Sequence, residues 1–421
     1  ESNSLYEIKE DTAKDATVAA AAQKIIDRID KEYGAVFAKS EVVLNGAKAP
    51  NGNRDSETNN GDLITDAMVW KILQDKESLT VDADHVVAVT NGGGIRKAIN
   101  PGDVTKKSIN EVLPFGNTVV TIYITGAELL EALEASTYCT PDAIGGFPQV
   151  SGINYTISTA VAYDANAETY PASTYYGPKS INRVTINSIN GKEFKADDTY
   201  AVITNDFCGG GGDTYYAFAA ATAKFDTGIP LDEVVMEYIT AELKGVIGKQ
   251  YAAPQGRILM NPFKDVKTSA WYGSYVIDLY NDGIINGTSA TTYAPNDTLT
   301  WGAALKLLLV SNGDLKAADA TGADWLKNTM AKAVELGIAP EDADGKALIT
   351  RLAFCQTAAK LNKLAESKTE SPFTDCTDGY VMALVDAKVI NGMTETTFEP
   401  SATLTRAQIA KIIYQLNLIE K

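Results

Sequence analysis

One histidine, His85, in 421 residues is the sharpest deficiency of this chain. Binuclear metallophosphatases, serine hydrolases and most zinc enzymes use histidine as metal ligand or base. A single one cannot supply a multi-histidine metal centre. His85 also opens the apolar run Val86-Val87-Ala88-Val89, which suits a strand edge better than a catalytic position. Cysteine is scarce: Cys139, Cys208, Cys355 and Cys376 lie far apart with no metal-ligand spacing. No disulfide framework is indicated, and pairing of any two stays open. No apolar run reaches the ~18 residues that a membrane span needs, and no secretion signal stands at Glu1. Starting without Met, the chain reads as a processed product or a fragment. Basic charge is short as well: 37 Lys and Arg face 54 Asp and Glu, for a net charge of −17. General nucleic-acid binding needs a basic surface, so nucleic acid is not an expected partner. Any phosphate recognition must come from a few local arginines.

What is present is enough for real cores: 45% of the residues are hydrophobic. The length calls for two or more domains. Residues 1–14 are polar, with a strand-like piece around Leu5-Tyr6-Glu7-Ile8. Residues 15–33 predict a helix: Asp15 can cap it, Val18, Ala22, Ile25 and Ile29 recur at spacings of four, three and four, and Gly34 ends it. From about 35 to 260, strand-like and helical runs mix. Val86–Thr90, Val119–Thr125 and Tyr200–Thr204 read as strands, and Leu63–Leu73, Gly126–Ala135 and Leu231–Leu243 as helices. The fold class expected there is α+β, or mixed α/β. After Pro262 short helices and turns dominate and an internal repeat begins. Phe263-Lys264-Asp265-Val266 is echoed by Phe373-Thr374-Asp375-Cys376, and Gly283-Ile284-Ile285-Asn286-Gly287 by Lys388-Val389-Ile390-Asn391-Gly392. Tyr293-Ala294-Pro295 is echoed by Phe398-Glu399-Pro400, and Leu299-Thr300 by Leu404-Thr405. A degenerate middle copy runs through Trp325, Leu336-Gly337-Ile338 and Ile349-Thr350-Arg351. Each unit is too small to bury a core alone, so the three should pack as one all-α module.

Chemistry concentrates in a few segments. Phe115 and Phe207 each follow a strand-like run and precede glycine, which suits exposed rings on loops. Stacking a base on such a ring is worth about 1–3 kcal/mol. Residue type alone leaves core packing open for both. Arg54 and Arg96 have the paired N–H donors that hold phosphate oxygens, or they form surface salt bridges. Asp213 follows four glycines and either steadies that turn or accepts from two hydroxyls at once.

Residues 15–260 resemble the C-terminal, nucleotide-binding domain of the 5′-nucleotidase family, which includes UDP-sugar hydrolases and 2′,3′-cyclic-nucleotide phosphodiesterases. The matching pieces come in order. They are Arg54-x-x-Glu57-x-Asn59-x-Gly61-Asp62-Leu63, Asn91-Gly92-Gly93-Gly94-Ile95-Arg96 and Val112-Leu113-Pro114-Phe115-Gly116-Asn117. Gly146-Phe147-Pro148-Gln149-Val150-Ser151-Gly152 and Asn205-Asp206-Phe207 through Gly211-Gly212-Asp213 complete the set. The resemblance implies that Phe115 and Phe207 clamp the base and Asp213 accepts from the ribose. Arg54 and Arg96 would hold phosphate, while Asn91 and Asn117 meet the base edge. Glu57, Asn59 and Gly61 would shape the turn before a helix. Cys208-Gly209 replaces a bulkier pair and would loosen its loop, and Thr214 stands where glycine is common.

The repeats, over 261–421 (about 261–313, 320–367 and 371–417), resemble S-layer homology repeats. These anchor proteins to anionic cell-wall polysaccharide. Leu404-Thr405-Arg406-Ala407-Gln408 follows the family pattern, the middle copy keeps Thr350-Arg351, and the first has Thr300-Trp301 instead. The resemblance points to Arg351 and Arg406 as polysaccharide contacts and puts one groove, at Trp301, in doubt.

Together these resemblances imply a surface phosphohydrolase of which this chain holds the substrate-recognition domain and the wall anchor. Helix 15–34 would be an interdomain linker and residues 1–14 the tail of a catalytic domain. That domain, absent here with its D-x-H and G-N-H-E motifs, would hold two divalent metal ions. This chain would carry no cofactor of its own and be inactive alone. Its expected partners are a nucleotide or nucleoside and the cell wall, in an extracellular, cell-surface setting. The competing reading is a non-catalytic surface protein with a degenerate nucleotide pocket.

Overall fold

The computed structural model describes residues 8–9, 11–162, 181–221 and 223–419. The strand-like piece expected around Leu5 to Ile8, except Ile8 itself, falls outside them. Two compact units result. One takes the described residues through 155 and from 181 to 258, and the other takes 156–162 and those from 259 onward.

The first unit begins with α1 (Ala16–Tyr33), built as its sequence predicts. One Asp15 carboxylate oxygen accepts from the backbone N–H groups of Thr17 and Val18, each at 2.9 Å, and Gly34 closes the helix. None of its residues is buried. In chain order follow β1 (Val36–Ser40), α2 (Asn59–Leu73), β2 (Val86–Asn91), β3 (Gly102–Thr105), α3 (Lys106–Val112), β4 (Thr118–Thr125) and α4 (Gly126–Ser136). Then come β5 (Pro148–Ser151), β6 (Ile153–Ile157), β7 (Val184–Ile189), β8 (Thr199–Asn205), α5 (Asp206–Gly209), α6 (Tyr216–Ala219), β9 (Ala223–Pro230), α7 (Leu231–Ala241) and β10 (Val246–Ile247).

The main sheet runs β5-β2-β8-β4-β9, and a smaller one runs β10-β1-β3. β2 and β8 are parallel, while β5 pairs with β2, and β4 with β8, in antiparallel register. Val86 to Asn91 are all buried, as their nearly unbroken apolar run requires of a strand covered on both faces. Helices α2 and α7 pack together, and α2 lies on β2. Leu63, Ala67, Met68, Val86, Ala88, Ile203, Val234 and Val235 share one core. Each fully buried Val, Leu, Ile or Met side chain there is worth about 1.5–3 kcal/mol. Helix α2 starts four residues before the apolar pattern predicts. The Thr58 hydroxyl caps it by accepting from Gly61 N–H at 3.1 Å, and Gly61 has no room for a Cβ beside Gln149.

The second unit is helical: α8 (Gly273–Asn281), α9 (Trp301–Ser311), α10 (Trp325–Glu335), α11 (Arg351–Leu361), α12 (Gly379–Asp386) and α13 (Arg406–Asn417). One contact recurs three times. Trp301 and Gly302 at the start of α9 donate their backbone N–H groups to Ala347 and Gly345. Arg351 and Leu352 of α11 donate to Ala402 and Pro400, and Arg406 and Ala407 of α13 donate to Asp297 and Pro295. First repeat grips second, second grips third, and third grips first, closing a ring. The repeated F-x-D motif has its reason here. Asp265 accepts from the N–H groups of Tyr293 and Ala294, and Asp375 from those of Phe398 and Glu399. Phe263, Tyr293, Phe354, Phe373, Phe398 and Ile409 meet in one core.

Candidate functional site

Strand register brings the distant motifs to one end of the main sheet. Parallel β2 and β8 finish at Asn91 and Asn205. Antiparallel β5 begins with Pro148 opposite Asn91, and β4 sets Val119 opposite Asn205. The loops before β5 and β4 therefore emerge beside the carboxyl ends of β2 and β8, where open sheets carry ligand crevices. Glycine lets these loops close up. Gly92 and Gly93 donate to the carbonyls of Phe147 and Gly145, both at 2.7 Å, and a Cβ on Gly92 would lie 1.6 Å from the Asn53 carbonyl oxygen. Gln149 holds the Asn53–Ser56 turn against β5 by donating to the Ser56 and Asn53 carbonyls at 2.7 and 3.2 Å.

The result is a cavity of about 800 Å³, lined by Arg54, Asn91, Arg96, Phe115, Asn117, Phe207 and Asp213 among others. All seven residues singled out from the sequence share it. Phe115 is 61% exposed and Phe207 46%, so neither is a core residue. Phe115 stands on the α3–β4 loop. Phe207 is not on a loop: it belongs to the single helical turn α5, with Gly212 packed directly against its ring. The Arg96 guanidinium lies 5.6 Å from the Phe115 ring centroid and donates to the Gly93 carbonyl at 3.1 Å. Arg54 Nε is buried and meets no hydrogen-bond partner among the described residues.

Asp213 is 5% exposed and takes a left-handed backbone, φ 51°. Burial raises its carboxyl above the ordinary value, against the Asn91 hydrogen bond and the Arg54 charge, which lower it. Asn91 lines the cavity and also bonds behind it: its Nδ2 donates to Asp213 Oδ2 at 2.7 Å and its Oδ1 accepts from Asn205 at 3.0 Å. Asn117 donates to Asp206 Oδ1 at 2.6 Å.

Other expectations need correction. Cys208-Gly209 does not loosen anything: Cys208 is fully buried, and a Cβ on Gly209 would be in contact with Thr204 and Val120. Thr214 is buried, its hydroxyl where a Cβ on Gly146 would fall. Glu57 reaches far beyond its turn and accepts from the N–H groups of Gln255, Arg257 and Ile258. Asn59 likewise binds Asn45, Val43 and Tyr251. All four cysteines are free. Sequence reasoning missed Asn205 as a residue of its own and the wall from Tyr138 to Gly145. That wall is held by Arg183, which donates to the carbonyls of Tyr138 and Thr140 at 2.7 and 2.5 Å. Buried Glu134 in turn accepts from the backbone N–H groups of Arg183 and Val184. Nothing in the sequence around Glu134 or Arg183 signals the pairing. Among the described residues no group of three or more His, Cys, Asp or Glu can hold a metal ion.

In the second unit Arg351 and Arg406 occupy equivalent places. Arg351 lies 4.7 Å from the Phe398 ring centroid and donates to the Asn391 carbonyl at 2.6 Å. Arg406 lies 4.4 Å from Tyr293 and donates to the Tyr293 and Asn286 carbonyls at 2.7 and 2.8 Å. Each guanidinium thus clamps the next repeat. Arg351 also borders a groove of about 180 Å³ with Trp271, Asn391, Gln408 and Lys411, and its buried Nε has no partner among the described residues. At the Arg406 position Lys306 lies over Trp325 at 5.2 Å. Gln356 stands in α11 at the place that Lys306 holds in α9 and Lys411 in α13.

Both units have counterparts among known proteins. Residues 36–220 match the family described as 5′-nucleotidase, C-terminal domain, and residues 262–302 and 375–410 match the S-layer homology domain. A trifunctional nucleotide phosphoesterase protein of Bacillus subtilis is 36% identical over 221 residues, 52% of this chain and 13% of that protein. The 5′-nucleotidase of Homo sapiens is 29% identical over 250 residues, 58% of this chain and 40% of that one. A cell wall protein of Listeria monocytogenes is 32% identical over 173 residues, 40% of this chain and 19% of that protein. A crystal structure of a 5′-nucleotidase precursor from Thermus thermophilus aligns with a TM-score of 0.45 at 31% identity, over 58% of this chain and 42% of that one. The chain thus spans well under two thirds of the length of these relatives. The S-layer homology matches and the cell wall relative indicate cell-surface or cell-wall association. This chain carries a 5′-nucleotidase C-terminal domain over residues 36–220, followed by S-layer homology domains.

Proposed function

We propose that the cavity binds a nucleoside phosphate and that the chain is the substrate-recognition part and wall anchor of a surface phosphohydrolase of the 5′-nucleotidase type. The observation that carries this reading is convergence. Two half-exposed phenylalanines, a buried carboxylate and two arginines from separate segments line one cavity. The base stacks on Phe115 and Phe207, with Arg96 against the Phe115 ring adding cation–π character. Asp213 accepts from the ribose hydroxyls. Arg54, with an unmatched N–H, and Arg96 take phosphate oxygens. Asn117 reaches the base edge, and Asn91 acts through Asp213. Hydrolysis, with its two divalent metals, belongs to residues outside this chain, so the chain alone binds without turnover.

Calorimetric titration with AMP tests this, and saturable binding is the expected result. No heat at millimolar ligand sinks the reading in favour of a surface protein with a degenerate pocket. The anchor reading rests on the grooves between repeats. There Arg351 with Lys411 and Trp271, and Arg406 with Lys306 and Trp325, combine cations with an aromatic face, which suits an anionic sugar chain.

A further inference from the structure

We propose that Asn205 is a positioning residue that couples base recognition to ribose recognition; this rests on the nucleotide reading of the cavity. Asn205 does not line the cavity. It ends β8 and is 3% exposed. Its Oδ1 accepts from Cys208 N–H at 2.8 Å and so caps the helical turn that carries Phe207. Its Nδ2 donates to Thr90 Oγ1 at 2.9 Å and to Asn91 Oδ1 at 3.0 Å. Asn91 Nδ2 then donates to Asp213 Oδ2 at 2.7 Å. Every donor in this series points the same way, from the turn under the stacking ring toward the carboxylate. Bonds aligned in that sense polarise and strengthen one another in a dry interior.

The Asn205 donor decides which end of the Asn91 amide faces Asp213. With it in place, a flipped Asn91 would set its NH₂ against the Asn205 NH₂ and its oxygen against the Asp213 carboxylate, repulsive on both sides. Without that donor, half of the penalty on the flip is gone, and Asp213 loses the certainty of its 2.7 Å bond from Asn91. Asn205 thereby fixes two things at once: the seat of Phe207 and the orientation of the group that acts on Asp213.

Two substitutions separate these tasks. Asn205→Ser keeps an oxygen able to cap the turn and removes the amide donor. Asn205→Asp keeps the shape and the cap but presents an oxygen to Asn91, drawing its NH₂ away from Asp213. AMP and free adenine, which lacks the ribose, are the probes, titrated from pH 4 to 8 with the intact chain. The groups facing Asp213 are Asn91, Arg54, Cys208 and Tyr215, and none is altered. Folding of each variant is checked by thermal unfolding. AMP affinity is expected to fall about tenfold for Ser and further for Asp, the range for a hydrogen bond to a charged group. Adenine affinity should hold. The acid limb of AMP binding should move to higher pH, because a carboxylate that loses a donor is protonated more easily. Unchanged AMP affinity and acid limb in a folded variant overturns the proposal. So does an equal loss for AMP and adenine, which marks a merely structural residue. Failure of the unaltered chain to bind either probe sinks the nucleotide reading itself.

Discussion

His85 sits between two carboxylates, its Nδ1 2.6 Å from Asp84 and its Nε2 3.4 Å from Asp198, with its ring stacked on Tyr200 at 5.2 Å. Lys192 also binds Asp84. The Asp84 hydrogen bond, above all, raises the imidazole above its ordinary value, with burial opposing. A raised basic group stabilises the fold fully below its unfolded value, about 6.5, and loses that contribution as pH climbs through the folded value. Removing His85 should therefore cost more stability in acid than in base. Urea unfolding of His85→Gln and the unaltered chain at pH 5.5 and pH 8 checks this, and an equal difference at both pH values rejects it. Nucleotide binding should be untouched, since His85 precedes β2 while Asn91 ends it. The exposed aromatics also make sense at this scale. Chain pattern offers Phe115 and Phe207 the core as readily as a ligand; the fold leaves both exposed, with Gly212 against Phe207 and Arg96 beside Phe115.

Elements are bounded where short polar side chains meet orphan helix N–H groups. Thr125 and Glu128 form a reciprocal capping box on α4: the Thr125 hydroxyl accepts from Glu128 N–H at 3.2 Å, and Glu128 Oε2 accepts from Thr125 N–H at 2.8 Å. Thr105 with Ser108, and Thr405 with Gln408, repeat the device. Thr125→Ala should lower unfolding stability by about 1 kcal/mol. Equilibrium urea denaturation measures it, and a change near zero would mean that tertiary packing alone sets the start of α4. The strands and longer helices were legible because their cores are apolar at regular spacing. The turn α5 was not: four residues carry no periodicity, and only the Asn205 cap and the packing of Cys208 make it helical.

Across the helical unit, the ring of repeats makes three related inter-repeat positions that differ in charge. Arginine with lysine occupies two of them, and tryptophan with glutamine the third. Lys411→Glu should therefore weaken retention on purified anionic cell-wall polysaccharide, while Lys327→Glu, at an exposed site on α10 away from the described groove, should not. Sedimentation with the polysaccharide at low and high salt reads this out, since charge pairing at a surface is screened by salt. Equal loss for both variants would reduce the effect to net charge. The two units have separate cores.

The linear order of residues by itself determined the central strands and longer helices, the repeats and seven of the cavity residues. Apolar spacing, caps and glycines are local, and the family motifs carry their residues with them. Tertiary structure alone decided which amide faces Asp213, which rings stand open, and that Arg351 and Arg406 each clamp a neighbouring repeat. The physical reason is that a hydrogen-bond partner or a packed face is set by distance in space. Asn91, Asn205 and Asp213, or Arg406 and Asn286, come together only once strand register and ring closure have placed them.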